Sequence, residues 1–583
     1  MAGHNRFSPR ARILASFLLL IGGLFVTRLF YLQIMQHDFY AKKAVAEQVN
    51  QYTLFPSRGV IYAKDGDQMT PLVMNQAVYL VFADPTLVKD KAKVEQVIKR
   101  VAGGEAVDNL DELLGRTTSR YQILARQITR EQRDLIDKED LAGVNFQESQ
   151  RRVYPEGSLA AQVLGYVNNE GEGQYGIEGA LNEDLAGKTG LRKATTDVYK
   201  VPLMLDSKND VEVPAVEGKS PVLSIDRSIQ SYVEQALADG LKGVKATKGS
   251  AIVMDPHTGK VLAMANMPTY NPAKYNEVTD YESFLNGTVS HAFEPASVIK
   301  TFTMAAGLDK GVIEPTSTYN NTYQVQVDGW TIANSTHNSM GTTTMNQVLQ
   351  YSLNTGSIFV LQQLGGGQIN NQARNTLYDY FYNRFKLGQK TGIEQTGENP
   401  GKLFAPDEQE GSAVRYANMT FGQGLNLTMI QVCTAFSAAI NGGTLYKPTL
   451  VDGYMTNDQE TVATPQVLST GVIGADASAK LKQMLVTARQ SIHPGDKAGY
   501  VVGGKTGTSQ TINPQTGAYY GPDEGHTIAT YVGFGGGANA EYVVMVRVDD
   551  SALVGSGGSL SAQPIFGNIS NWLLEYKRIA PVQ

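Results

Sequence analysis

A single cysteine, Cys433, stands among 583 residues, which excludes an internal disulfide. A chain of this length can hold its cores without such staples. Cys433 lies in the apolar run at residues 430–440, so a buried structural thiol is expected rather than a catalytic one. The seven histidines are scattered. They form no H-x-x-x-H pair and no Cys/His cluster, so neither a zinc site nor any other metal is expected. There is no long block of like charge and no low-complexity tract. The formal net charge of −6 argues against nucleic acid as a partner.

What is present is an ordinary globular balance, 42% hydrophobic and 18% charged, which can bury sizeable cores. The length points to two or three domains. Arg6, Arg10 and Arg12 precede an apolar stretch at residues 13–27, and no acidic residue occurs before Asp38. That charge pattern places the N-terminus in the cytoplasm and the bulk of the chain outside the membrane. The run reaches spanning length through Leu29-Phe30-Tyr31-Leu32 if Arg28 snorkels or pairs. The residues after it are large, with no small-x-small cleavage site, so an uncleaved anchor is expected rather than a signal peptide. The expected order is a cytoplasmic tail (1–12), a transmembrane anchor (13–34), a first extracytoplasmic region (35–220) and a second (221–583).

The first region has a charged, helix-prone middle at residues 84–140 between short strand-like runs such as Val60-Ile61-Tyr62. The second opens with the strand pattern Val222-Leu223-Ser224-Ile225-Asp226 and a helical pattern through Leu241. Two more strands follow, joined by the turn Asp255-Pro256-His257-Thr258-Gly259. Helical runs fill the middle, and strand signals return near residues 500–502, 528–534 and 542–548. Strands at both ends with helices between them predict one sheet flanked by helices, an α+β or α/β arrangement.

Three short elements carry chemistry. Ser297-Val298-Ile299-Lys300 follows Pro295, which favours a helix start. Three residues apart on a helix, Ser297 and Lys300 share a face. A serine hydroxyl needs a base, and a lysine can serve once burial or nearby positive charge lowers its pKa. Ser352-Leu353-Asn354 follows an amphipathic segment and sits near a helix end, where a hydroxyl and an amide can flank a cleft. Ser207-Lys208-Asn209 fits the same pattern but precedes Ser297. Lys505-Thr506-Gly507-Thr508 continues a strand-like run rich in glycine, where a substrate backbone can approach closely and a cation can pair its carboxylate. K-T-G also occurs at Lys188 and Lys390, so context separates the three. Each element alone has a bland reading as a cap or a turn. Together and in this order they match the S-x-x-K, S-x-N, K-T-G set of penicillin-binding proteins and serine β-lactamases.

The chain resembles a class B penicillin-binding protein along nearly its whole length. Ser57-Arg58-Gly59-Val60-Ile61 with Asp65-Gly66, the segment Arg152-Val153-Tyr154-Pro155-Glu156-Gly157 with Gly165-Tyr166-Val167, and Tyr175-Gly176-Ile177-Glu178 with Leu185-Ala186-Gly187 are similar to the family's pedestal motifs. Gly422-Gln423-Gly424 with Thr428 and Gln431 resembles its G-Q-G…T-x-x-Q loop. One departure is Ala296, where the family has glycine before the nucleophile. The resemblance implies an elongated pedestal domain (35–220) and a transpeptidase domain (221–583) with a central antiparallel sheet flanked by helices. It implies Ser297 as nucleophile, Lys300 as general base, Ser352 as proton relay and Asn354 as a positioning group. Lys505, Thr506, Gly507 and Thr508 would bind the terminal carboxylate of a stem peptide ending in D-Ala-D-Ala. The N–H groups of Ser297 and Thr508 would form the oxyanion hole, and no cofactor is needed. Expected partners are stem peptides, β-lactams as covalent inhibitors, the lipid bilayer, and a membrane glycan polymerase of the shape, elongation, division and sporulation family.

Gly499-Tyr500-Val501-Val502-Gly503-Gly504 and Ala562-Gln563-Pro564-Ile565-Phe566 resemble the septal, FtsI-type branch, so a role in cell division is expected. The alternatives are an elongation-type transpeptidase, a D,D-carboxypeptidase or β-lactamase that uses water as acceptor, and a non-enzymatic division scaffold or β-lactam sensor. A scaffold should have lost Ser297, Lys300 or Lys505; none is lost.

Overall fold

The computed structural model describes residues 8–195, 211–335, 341–457, 459–491, 495–511, 515–516, 520, 526–551 and 557–582. Arg6 and the candidate Ser207-Lys208-Asn209 lie outside the described residues. The chain forms two compact units, Met1–Ser57 with Gly187–Gly218, and Arg58–Ala186 with Lys219–Gln583.

The first unit begins with the helix Pro9–Phe30, which runs on into a π-helical turn, Tyr31–Met35. Ser8 caps it, and Pro9 at the first position supplies no N–H that would need a partner. Pro9–Met35 is long and apolar enough to cross a membrane. Arg28 does not stand alone in it, because its guanidinium lies over the Tyr31 ring, 5.5 Å from the centroid. The same unit holds an antiparallel sheet of Val49–Leu54, Gly190–Thr195 and Val211–Val213.

The second unit contains a five-stranded, fully antiparallel sheet in the order Val261–Met267, Lys248–Met254, Ala540–Asp549, Thr527–Gly536, Val501–Gln510. Side chains alternate between its two faces. Ala251, Val253, Val544 and Val546 pack with the helices Arg227–Gly243 and Ala562–Tyr576 through Val233, Leu237, Phe566 and Ile569. Ile252, Met254, Val543 and Met545 face the larger core, with Phe302, Met304, Phe436 and Leu485 from helices on the other side. Both faces are therefore covered, and the runs read as nearly continuous apolar stretches. Cys433 is fully buried in the helix Met429–Ile440, and burial pushes its thiol pKa up.

A second sheet orders Gln459–Val462, Val451–Thr456, Ser220–Asp226, Ile61–Asp65, Gln68–Ala83 and Gln122–Ile128, with Val144–Val153 also paired to Gln68–Ala83. The pairing of Ser220–Asp226 with Ile61–Asp65 is parallel and joins segments far apart in sequence. The helix-prone stretch at 84–140 contains the helices Lys91–Ala102, Leu110–Gly115 and Arg130–Asp137, and also the strand Gln122–Ile128, around a small core of their own. That strand was hidden in the sequence because only Leu124, Ala125 and Ile128 of it are buried, too few for a period-two signal.

The pedestal motifs converge on one buried ion triad. Glu178 is fully buried; its Oε2 accepts from Arg58 Nε at 2.7 Å and its Oε1 from Arg152 Nε at 2.8 Å. Arg58 also donates to Asn182 Oδ1 at 2.9 Å, and Arg152 to Asn75 Oδ1 at 2.6 Å. A buried carboxylate is tolerated because it is paired on both oxygens.

Candidate active site

Ser297 sits in a 3₁₀ turn, Ala296–Ile299, that feeds the helix Lys300–Asp309. The turn is entered through Ala296 at φ 54°, a left-handed conformation that costs an alanine about 1 kcal/mol. Glycine at this place in the family needs no such cost. Two neighbours hold the turn. The Ala296 amide donates to Gly422 O at 3.1 Å, and Thr530 Oγ1 lies 3.5 Å from Pro295 O. Phe293 forms a two-bond bridge with Leu427, at 3.0 and 2.9 Å, and Glu294 Oε1 accepts the Gly424 amide at 2.8 Å.

Lys300 is fully buried, and its Nζ lies 3.0 Å from Ser297 Oγ. It reaches Ser352 O at 2.5 Å, Asn354 Oδ1 at 2.8 Å and Ser352 Oγ at 3.2 Å. Ser352 lies between the helices Met345–Gln350 and Asn354–Leu364, and its own φ of 57° turns its carbonyl onto the amine. Asn354 is fixed in orientation. Its Nδ2 donates to Ala333 O at 2.9 Å, and a carbonyl can only accept, so Oδ1 must face Lys300. Desolvation by burial lowers the Lys300 pKa well below the usual lysine value, and the Lys505 charge lowers it further. A neutral amine matches the partners. Its two N–H groups serve Ser352 O and Asn354 Oδ1, and its lone pair is left for the Ser297 hydroxyl proton.

Lys505 lies on the far side of Ser352. Its Nζ donates to Ser352 Oγ at 3.0 Å, to Thr506 O at 3.1 Å and to Thr506 Oγ1 at 3.2 Å, three acceptors for three protons. Burial lowers its pKa to about 7. The Ser352 hydroxyl thus stands between two amines, at 3.2 and 3.0 Å. Lys505, Thr506, Gly507 and Thr508 belong to Val501–Gln510, the outer strand of the five-stranded sheet, with Thr506 half-buried and Thr508 exposed. Gly507 allows the strand to close on the serine turn, because a Cβ there would lie 2.3 Å from Thr530 Oγ1 and 2.7 Å from Pro295 O.

All eight sequence candidates therefore occupy one neighbourhood, built from the serine turn, the Ser352 turn and the outer strand. The other K-T-G copies have local settings of their own. Lys188 forms an isolated bridge with Val216, and the Thr391 amide and hydroxyl bind Glu398 Oε1, both at 2.6 Å. Sequence reasoning missed several supporting residues. Phe421 places its ring 5.9 Å from Lys300 Nζ, Thr530 underlies Gly507, and Gly558 donates its amide to Thr508 Oγ1 at 3.0 Å. No motif marks Thr530 or Gly558. Phe421 directly precedes the G-Q-G loop, which is the one signal that could have found it. Among the described residues no group of acidic, histidine or cysteine side chains could hold a metal ion.

Comparison with known proteins gives matches at two levels. The penicillin binding protein transpeptidase domain matches residues 249–571, and the penicillin-binding protein dimerisation domain matches residues 53–220. The chain is 30% identical to penicillin-binding protein PbpB of Mycobacterium tuberculosis over 75% of its own length and 63% of that protein. It is 30% identical to stage V sporulation protein D of Bacillus subtilis, covering 93% of this chain and 82% of the relative. With peptidoglycan D,D-transpeptidase FtsI of Escherichia coli it shares 28% identity over 99% of this chain and 93% of the relative. Among solved structures, apo penicillin binding protein 3 from Mycobacterium tuberculosis aligns at TM-score 0.67 and 25% identity, covering 91% of this chain and 98% of that one.

Proposed function

The chain belongs to the penicillin-binding protein transpeptidase family, and from that premise we propose that it is a membrane-anchored peptidoglycan D,D-transpeptidase in which Ser297 is the nucleophile. The observation that carries this reading is the Lys300 amine, fully buried, 3.0 Å from Ser297 Oγ and linked through the Ser352 hydroxyl to Lys505. Residues 35–220 serve as the pedestal and residues 221–583 as the catalytic domain, a division supported by the two family matches.

Acylation starts with Lys300 neutral. As Ser297 Oγ attacks the carbonyl carbon of the penultimate D-alanine, its proton passes to Lys300 Nζ. The N–H groups of Ser297 and Thr508 receive the oxyanion, a contribution worth about 10²–10³ in rate per donor. The tetrahedral intermediate collapses as the C–N bond breaks. The departing D-alanine nitrogen takes a proton through Ser352 Oγ, which Lys300 resupplies. Lys505 with Thr506 and Thr508 holds the terminal carboxylate, whose negative charge favours the ammonium form of Lys505. An amine of a second stem peptide then attacks the ester carbonyl and gives up a proton through Ser352 Oγ to Lys300. The bond from the carbonyl carbon to Ser297 Oγ breaks, Lys300 returns the proton to Ser297 Oγ, and the new amide is the crosslink. β-Lactams enter the first half of this sequence and stop at the acyl-enzyme. The likeness to FtsI and PbpB supports action in septal wall synthesis. The charge pattern before Pro9–Met35 supports a cytoplasmic N-terminus with the catalytic domain outside, and the membrane helix and pedestal are where a glycan polymerase partner would dock.

Labelling with a fluorescent penicillin tests the nucleophile. Wild type should be labelled covalently and Ser297→Ala should not. Incubation with nascent glycan bearing pentapeptide stems should release D-alanine and yield crosslinked dimers. Folded wild type that takes no label overturns the enzymatic reading, and D-alanine release without dimers replaces transpeptidation with hydrolysis.

A further inference from the structure

We infer that Glu294 is a positioning residue for the nucleophile: by accepting the Gly424 amide, its carboxylate holds the left-handed backbone at Ala296 that aims Ser297. This inference rests on the transpeptidase reading above.

The segment at residues 293–297 is zipped to the segment at residues 422–427. Phe293 exchanges two backbone bonds with Leu427, Glu294 takes the Gly424 amide at 2.8 Å, and Ala296 gives its amide to Gly422 at 3.1 Å. Of these links, only the one at Glu294 is made by a side chain. The far end of the receiving loop is itself braced, since Arg415 Nη1 reaches Gly424 O at 3.4 Å while its Nη2 donates to Glu410 at 2.6 Å. Arg415 also stacks over Phe404 at 4.3 Å. Glu294 therefore anchors the chain to a fixed point two residues before the strained one.

The strain makes the anchor matter. Ala296 has φ 54°, and an alanine left to itself returns to negative φ. Such a return would swing the Ser297 amide and hydroxyl, which follow directly in the chain. A left-handed non-glycine residue persists only where its surroundings over-determine it. Here the Glu294–Gly424 bond lies on one side and the Pro295 carbonyl, packed beneath Gly507, on the other. A glycine at 296 would adopt the same φ without opposition, and the anchor would then carry less of the burden. The two positions must therefore be coupled.

The test measures the pre-acylation constant and the acylation rate separately, with full-length detergent-solubilised protein and a fluorescent penicillin, alongside the melting temperature. Glu294→Ala should slow the acylation rate by about tenfold to a hundredfold, the range expected for a misaimed nucleophile, with the pre-acylation constant changed by less than about threefold. Glu294→Gln should stay close to wild type, because its amide oxygen accepts the same N–H. Ala296→Gly should restore most of the rate lost in Glu294→Ala. If Glu294→Ala does not fold, Glu294→Asp, which draws the oxygen back by one methylene, should show the same loss and the same rescue. An unchanged acylation rate in the Glu294 variants, or an equal fold-loss with and without Ala296→Gly, overturns this inference alone. A folded wild type that takes no label overturns the transpeptidase reading and this inference with it.

Discussion

Ala296 and Gly422 meet backbone to backbone, with the Ala296 amide 3.1 Å from the Gly422 carbonyl oxygen. A Cβ on Gly422 would lie 2.1 Å from the Ala296 carbonyl oxygen, and Gly422 itself has φ 84°. Backbone cannot swing aside as a side chain can. Gly422→Ala should therefore displace the serine turn, lowering the acylation rate at least about tenfold and stability by about 2 kcal/mol. Penicillin labelling kinetics and thermal melts check both numbers.

Gly507→Ala should act on the other flank. The added methyl meets Thr530 Oγ1 at 2.3 Å and Pro295 O at 2.7 Å, so the outer strand must retreat from Ser297. Acylation should fall by about 10²-fold, measured as the second-order rate with a β-lactam. Thr530→Ala in the same chain removes one of the two clashes and should recover part of it.

The pH profile of the second-order acylation rate should be bell-shaped. Lys300 has its pKa depressed by burial and by the Lys505 charge. Below that pKa it is an ammonium and cannot accept the serine proton, so the rate falls with acid. Lys505, at about 7 in the free protein, loses its charge as pH rises, and carboxylate capture falls on the alkaline side. Stopped-flow labelling across the range checks the two limbs. The first-order acylation rate at saturating β-lactam, which reports the bound state, should show its alkaline limb moved upward by the ligand carboxylate.

Glu178→Gln should leave two buried guanidiniums, Arg58 and Arg152, without their shared carboxylate. The loss should be about 3–5 kcal/mol of stability, read as a lowered melting temperature. The acylation rate per folded molecule should not change.

Cys433 should resist an aromatic disulfide reagent in the native protein, because it is fully buried and its thiol pKa is raised. One thiol should appear on unfolding in guanidinium. Rapid native reaction would mean that the helix Met429–Ile440 opens on the assay timescale.

The candidate site residues were legible in the sequence, and the structure brings them together, because chemistry restricts the residue types at fixed spacing. Ser297 and Lys300 share a helix face, and Lys505 lies on a strand that glycine allows to approach. Long apolar strands such as Lys248–Met254 and Ala540–Asp549 were visible for a related reason, since both their faces are buried. Three things were not legible. The strand Gln122–Ile128 buries too little. The left-handed backbone at Ala296 and Ser352 leaves no mark, since neither alanine nor serine signals a positive φ as glycine or asparagine does. The meeting of Arg58, Arg152 and Glu178 depends on chain returns across 94 and 26 residues, as the numbering shows, and no local pattern encodes such a return.

The outer strand Val501–Gln510 has one further consequence. A sheet rim with free ladder groups invites a second copy of the same chain to pair and start a precipitate. Covering this rim would close the site, so the usual remedy of a capping element is barred. Lys505 sits at the middle of the rim with its charge turned inward, and Thr508 and Gln510 stand exposed beside it. In the proposed mechanism the group that holds a carboxylate is thus also, while protonated, an inward-pointing charge that disfavours intermolecular pairing along this rim. A neutral replacement at 505 should therefore favour self-association of the protein along this rim.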